Sequence, residues 1–155
     1  MSLLLTSFIA PLLASAPVPL GGDARWAAFR VAPQTCEARG RAWRVLPESQ
    51  RERQPMMRFV FRGTAAPYVH VNLRRLVPEG SVVQLVVDDT PFVLDAGGRD
   101  AFSSDADAAR IIAALRRATK MRVTGRDRAG RRFSDYYPLD GVPAAIDAAA
   151  AGCAR

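Results

Sequence analysis

Hydrophobic and polar residues alternate in several short segments of this chain. In segment 68–73, Val69, Val71 and Leu73 fall on one face and polar residues fall on the other. Alternation with a period of two predicts half-buried strands. Segment 81–87 is almost continuously apolar, which predicts a strand covered on both faces. The same reasoning gives about eight short strands, at 26–31, 42–46, 58–62, 68–73, 81–87, 92–94, 121–127 and 132–137.

The hydrophobic period changes to that of a helix after Ser104. This serine and Asp107, three positions later, form the pattern of a capping box at a helix start. Asp140 is a candidate N-cap for a second helix, in which Pro143 fits the first turn and Gly152 fits the end. The chain is therefore predicted to be α+β, with a mostly antiparallel, β-sandwich-like sheet and two helices.

Polar and glycine-rich stretches separate these elements. The mixed-charge segment 47–55 predicts a solvated loop, and Gly97-Gly98 predicts a turn. Cys36, which follows Pro33, is expected in a turn as well.

The first sixteen residues carry no charged side chain. An apolar run over 3–13 precedes a small-x-small site that ends at Ala16, a pattern typical of a secretory signal peptide. The alternative, an N-terminal core helix, would be interrupted by a proline. We expect 1–16 to be the signal peptide, 17–22 a linker and 23–155 a single domain. The mature chain is predicted to be periplasmic or secreted, with no transmembrane span, because the apolar run is shorter than the ~20 residues that a spanning helix needs.

Cys36 and Cys153 are the two cysteines of the chain. An exported protein with two thiols usually pairs them, so we predict a disulfide that links the start of the domain to its end. The alternative, two free thiols, would require a reducing compartment.

Arginine dominates the charge of this protein. Lysine and arginine number 22 against 15 acidic residues, which gives a net charge of +7, and all but one of the basic residues are arginine. Five arginines concentrate in one predicted hairpin and form a candidate surface for an anionic partner: Arg122, Arg126, Arg128, Arg131 and Arg132. Export argues against a nucleic acid, so an envelope protein, an anionic lipid or a polysaccharide is the expected partner. The alternative is an arginine-rich, solvated surface without a specific partner.

The sequence contains few residues that could carry out catalysis. His70 is the only histidine, and no serine lies in a Gly-x-Ser-x-Gly turn. A small periplasmic hydrolase that uses His70 is the alternative function, but we predict no catalytic residue. We also predict no metal site and no cofactor, since the paired acids at 88–89 and at 105 and 107 fit a hairpin turn and a helix start.

The C-terminal half contains the ordered pattern Asp135-x-Tyr137-x-Leu139-x-Gly141 between a hairpin and an alanine-rich helix that ends at Cys153. With the strands and the helix upstream, this order resembles the invasion-associated locus B family of exported proteins from Gram-negative bacteria. The resemblance implies a β-rich envelope or periplasmic domain without an assigned enzyme activity. The expected function is therefore that of a non-enzymatic binding or envelope-maintenance module.

Overall fold

A computed structural model describes residues 15–23 and 25–154 of this protein. The signal peptide predicted at 1–16 lies outside the described residues except for its last two positions. Eight strands, two α-helices and one short 3₁₀-helix follow in order: β1 (Val18–Gly22), β2 (Trp26–Ala32), β3 (Thr35–Arg41), the 3₁₀-helix (Glu48–Arg53), β4 (Met56–Arg62), β5 (Tyr68–Val87), β6 (Thr90–Phe102), α1 (Asp105–Leu115), β7 (Met121–Arg126), β8 (Arg132–Tyr137) and α2 (Val142–Gly152).

All eight strands belong to one antiparallel sheet. Its order is β1-β2-β3-β4-β5-β7-β8, and β6 pairs with β5 outside this path. The predicted α+β class with a mostly antiparallel sheet and two helices is confirmed. The eight strands form one continuous sheet, because every strand is hydrogen-bonded to a neighbour in it.

Strand β5 is the spine of this sheet. Its first part pairs with β4, its last part pairs with β7, and β6 pairs with both parts. The sequence predicts two separate strands here, at 68–73 and 81–87, but the structure forms one strand of 20 residues with register shifts between Asn72 and Ser81. The predicted turn at Gly97-Gly98 is wrong as well, because both glycines lie inside β6. Gly98 has a φ of +61°, a backbone conformation that favours glycine.

Strand β3 shows why the prediction of a turn at Cys36 is wrong. Its buried face carries Cys36, Ala38 and Gly40, which are small and give no strong hydrophobic signal. Small residues are required because the ring of Trp26 lies directly against Gly40. Helix α2 packs over β1, β2 and β3, and the disulfide between Cys36 and Cys153 fastens its end to the sheet. The predicted pairing of the two cysteines is thus confirmed.

Two further segments differ from prediction. The stretch 42–46 is not a strand. Its Trp43 N–H donates to the Tyr136 carbonyl, but further along the Gln54 side chain accepts from the backbone N–H of Leu46 and donates to the carbonyl of Arg44. In the stretch 17–22, predicted as a linker, Val18–Gly22 forms β1 and pairs with β2.

The two predicted helices are both present. Ser104 caps α1 by accepting a hydrogen bond from the Asp107 backbone N–H at 3.1 Å, as the capping-box pattern predicts. The N-cap of α2 is Gly141 instead of Asp140. The backbone at Gly141 has a φ of +85°, a conformation that glycine adopts readily. Within the described ranges, no helix is long and apolar enough to cross a membrane.

Candidate anion-binding site

The five arginines predicted as one surface divide between the outer face of the β7–β8 hairpin and its turn. Arg126 lies directly opposite Arg132 across the hairpin, and both point away from the buried face that carries Phe133. Arg122 lies on that same outer face. Arg128 and Arg131, in contrast, belong to the turn and line a cavity. Two of the five predicted arginines therefore line the cavity, and three lie on the outer face of the hairpin.

The cavity next to this turn is lined mainly by arginines. It has a volume of about 270 Å³, and we call it the arginine bowl. Its lining consists of Arg53, Arg74, Arg75, Leu76, Arg99, Asp127, Arg128, Ala129 and Arg131. These residues come from the 3₁₀-helix, the middle of β5, β6 and the β7–β8 turn.

The turn is built around the Asp127 carboxylate. Its Oδ1 accepts from the backbone N–H groups of Ala129 and Arg131, each at 3.0 Å. Gly130 supplies the positive φ of +75° that the turn requires. The backbone N–H of Arg128 donates to the Leu76 carbonyl at 2.9 Å, which anchors the turn to the middle of β5. Arg128 and Arg131 of the turn therefore line the same cavity as Arg74 and Arg75 of β5.

Two buried carboxylates hold three of the bowl arginines in place. Asp127 Oδ2 accepts from Arg75 Nη1 at 3.4 Å and from Arg131 Nε at 3.2 Å. Asp135 Oδ1, on β8, accepts from Arg74 Nε at 3.0 Å. Burial raises the pKa of Asp127, but the backbone donors and the Arg131 charge outweigh it and leave this pKa lowered. The carboxylate is therefore ionised at neutral pH and fixes its two guanidinium partners.

A backbone contact holds a fourth arginine. Arg99 Nη1 donates to the carbonyl of Arg74 at 2.8 Å, at the irregular part of the β5–β6 ladder. The guanidinium groups of Arg53 and Arg128 have no acceptor among the described residues. Since arginine stays charged at all physiological pH values, each of the six side chains contributes a full positive charge to the bowl.

The charges of the bowl do not balance. Six arginines line it, and the two carboxylates that bind them, Asp127 and Asp135, leave an excess of four positive charges. In addition, Arg75 Nε is buried without a hydrogen-bond partner. Buried donors in proteins are nearly always paired, and this atom is an exception. The arrangement can bind an anion.

The family-like motif lies between this site and helix α2. Asp135 is the motif residue that contacts a bowl arginine. Tyr137 is buried in the core, and burial raises the pKa of its hydroxyl. Leu139 packs partly buried against the core, and Gly141 starts α2. Tyr137, Leu139 and Gly141 therefore contribute to the fold, whereas Asp135 contacts the bowl.

His70 lies on a different part of the sheet. Its Nε2 is 2.8 Å from Asp100 Oδ1, and its ring stacks on Phe102 with the ring centroids 4.5 Å apart. Among the described residues, no hydroxyl or thiol is hydrogen-bonded to it, and both cysteines are in the disulfide. The hydrolase alternative, which needs a nucleophile beside His70, stays a prediction.

Sequence reasoning missed four residues of the bowl: Arg53, Arg74, Arg75 and Arg99. The Arg74-Arg75 pair interrupts an alternating strand and is a local signal for an irregular position. Nothing local indicates that Arg53 and Arg99 approach the same cavity, because the packing of the 3₁₀-helix and β6 against β5 brings them together. Comparisons with protein-family models, with curated proteins and with solved structures find no match for this chain.

Proposed function

We propose that this protein is an exported, non-enzymatic envelope or periplasmic protein that binds an anionic partner through the arginine bowl. The observation that carries the proposal is the convergence of six arginines on one cavity with only two carboxylates to compensate them. Like charges brought together at a surface raise the local positive potential and attract anions. The proposal replaces the predicted hairpin surface by the turn of that hairpin and the middle of β5.

The disulfide supports export. Disulfides form and persist in oxidising compartments such as the periplasm, and Cys36 and Cys153 are paired. The signal-peptide pattern of residues 1–16 and the resemblance to the invasion-associated locus B family point to the same compartment.

The chemistry of the lining supports binding over catalysis. The lining residues are six arginines, one aspartate, a leucine and an alanine. Guanidinium groups stay protonated near neutral pH and cannot act as general bases. The Asp127 carboxylate already accepts four hydrogen bonds. Such a lining recognises and holds charge, and it offers no nucleophile.

Salt-dependent binding to a sulfated polysaccharide and to vesicles that contain an anionic lipid tests the proposal. We expect binding at low ionic strength that weakens as salt rises, because the Debye length falls from about 30 Å at 0.01 M to about 10 Å at 0.1 M. The variant R53E/R128E should lose this binding, because it reverses two charges of the bowl. Neither side chain has a protein partner among the described residues, so we expect the variant to stay folded.

Two further variants serve as controls. R41E/R117E makes the same change in net charge outside the bowl and should bind like the unmodified protein. R126E/R132E tests the outer face of the hairpin and should also retain binding. Equal losses in all three variants would show that only net charge matters, and the proposal would then be abandoned.

A further inference from the structure

We infer that the arginine bowl binds the phosphoryl group of a phosphate monoester, a compact dianion. This inference rests on the proposed function and names the chemical class of the ligand. Three features of the bowl support it: the charge excess, the size of the cavity and the hydrogen-bond donors in its lining.

The charge excess favours a dianion. Four positive charges remain after Asp127 and Asp135 are counted, so a ligand with two negative charges gains more Coulomb energy than one with a single charge. A phosphate monoester carries between about −1.5 and −2 at pH 7, whereas a phosphodiester or a carboxylate carries −1. Arginine also matches phosphate in shape, since its planar fork donates two parallel hydrogen bonds.

The size of the cavity favours a small group. Its volume of about 270 Å³ lies at or below the lower end of the range of ligand pockets, roughly 300–1,000 Å³. A phosphoryl group with the first atoms of its alcohol fits such a cavity. Leu76 is 40% exposed in the lining and offers an apolar contact to the alcohol part of an ester.

The donors are already fixed in position. Arg74 and Arg75 are held by carboxylates, and Arg99 is held by backbone carbonyls. A site whose groups are held before binding loses little side-chain entropy when the ligand arrives. The remaining N–H groups of these three arginines, together with the guanidinium groups of Arg53 and Arg128, would donate to the phosphoryl oxygens.

Calorimetric titration of the full chain, with its disulfide intact, tests the inference. The probes are methyl phosphate, dimethyl phosphate, inorganic phosphate and sulfate. We expect methyl phosphate and inorganic phosphate to bind, and dimethyl phosphate to bind at least about tenfold more weakly because it lacks the second charge. Binding of methyl phosphate should strengthen from pH 5 to pH 7.5 as its second proton, with a pKa of about 6, dissociates. Sulfate stays doubly charged over this range, so its affinity should not change.

Substitutions locate the binding. R53A/R128A should weaken the affinity for methyl phosphate by at least about tenfold, and the matched variant R41A/R117A should leave it within about twofold. If R53A/R128A and R41A/R117A have equal effects, the bowl is not the site and the inference is overturned.

Vesicles distinguish a lipid headgroup from a soluble ester. Phosphatidic acid presents a monoester and phosphatidylglycerol presents a diester. Binding to phosphatidic acid vesicles that free phosphate displaces supports a lipid source, and titration by methyl phosphate without vesicle binding supports a soluble source.

Failure of this inference can be separated from failure of the proposed function. If the sulfated polysaccharide binds but neither phosphate nor methyl phosphate does, the phosphate inference is overturned and the proposed function stands. If no anionic probe binds at low salt, both are overturned.

Discussion

Gly40 in β3 lies directly against a large side chain of the core. A Cβ atom at this position would lie 2.2 Å from the indole ring of Trp26, which is fully buried. The indole N–H in turn donates to the Pro138 carbonyl at 2.8 Å, so the ring cannot turn away without breaking a buried hydrogen bond. The position therefore tolerates only glycine.

The substitution Gly40→Ala tests this packing. We expect the free energy of unfolding to fall by about 3 kcal/mol, the upper end of the cost of overpacking. A double-mutant cycle with Trp26→Phe supplies the control, because phenylalanine lacks the ring atoms that meet the new methyl group. In the Trp26→Phe background, Gly40→Ala should cost clearly less. Additive costs in urea denaturation would contradict the proposed contact.

Asp127 couples stability to pH at the β7–β8 turn. Its folded-state pKa is lowered from the ordinary value of 3.8, mainly because backbone donors and Arg131 outweigh the effect of burial. A lowered pKa means that the ionised form stabilises the fold. This contribution is fully present above pH 3.8 and is lost as the pH falls through the lower folded-state pKa.

We therefore expect Asp127→Asn to lower the melting temperature at pH 7 and to reduce the decline in melting temperature on acidification. The measurement is thermal unfolding followed by circular dichroism between pH 7 and pH 2.5. Asp95→Asn, at an exposed strand position with no hydrogen-bond partner among the described residues, is the control and should follow the unmodified protein. Parallel pH curves for Asp127→Asn and the unmodified protein would contradict the role assigned to Asp127.

At the scale of single elements, helix α1 begins where its side chains dictate. The Ser104 hydroxyl accepts from the Asp107 N–H, and the side chains of Asp105 and Asp107 lie in the first turn, where the helix dipole favours negative charge. Ser104→Ala should lower the free energy of unfolding by about 1 kcal/mol, and Ser104→Asn should restore it, since asparagine caps as well as serine. Chemical denaturation measures both. An Ala variant as stable as the Asn variant would contradict the cap.

Local patterns predicted those elements whose signals lie within a few residues. The capping box and the helical period located α1, and alternation located the hairpin of β7 and β8. The pattern was less informative for β3, whose buried positions are small because a helix and an indole ring occupy the space beside them. The hydrophobic pattern also predicts two strands in place of β5, because the alternation stops at residues 74–80. The backbone still pairs with β6 there, through Val77 and Gly98. These two differences have one cause: the pattern reports side-chain hydrophobicity, whereas tertiary packing sets strand length and side-chain size.

At the scale of the whole molecule, the disulfide closes nearly the entire described chain into one loop. Cys36 and Cys153 are 117 positions apart in sequence, and their Cα atoms are 5.8 Å apart. Closing a loop of this length restricts the unfolded chain and adds about 4–5 kcal/mol of stability by the chain-entropy relation. Reduction should therefore lower the melting temperature strongly.

Thermal unfolding with and without reductant measures this effect. The variant C36A/C153A is the control, because it should be as unstable as the reduced protein and insensitive to reductant. A melting temperature of the unmodified protein that does not change on complete reduction would contradict the contribution of the bridge.

The candidate site could be predicted only in part at this scale. Arg128 and Arg131 were found because they lie in a basic hairpin, and the disulfide was found because two thiols in an exported chain have few alternatives. Arg53, Arg74, Arg75 and Arg99 are brought to the same cavity because β6 and the 3₁₀-helix both pack against β5. Sequence spacing contains no information on such a convergence.

The bridge between β3 and the end of α2 also sets the path of mechanical force through the molecule. Tension applied between β1 and Cys153 passes along the first strands to Cys36 and then directly across the sulfur atoms. The chain from Glu37 to Gly152, which contains β5 and all six bowl arginines, lies off that path. A protein held by these two regions could therefore be stretched without pulling its anion-binding residues apart.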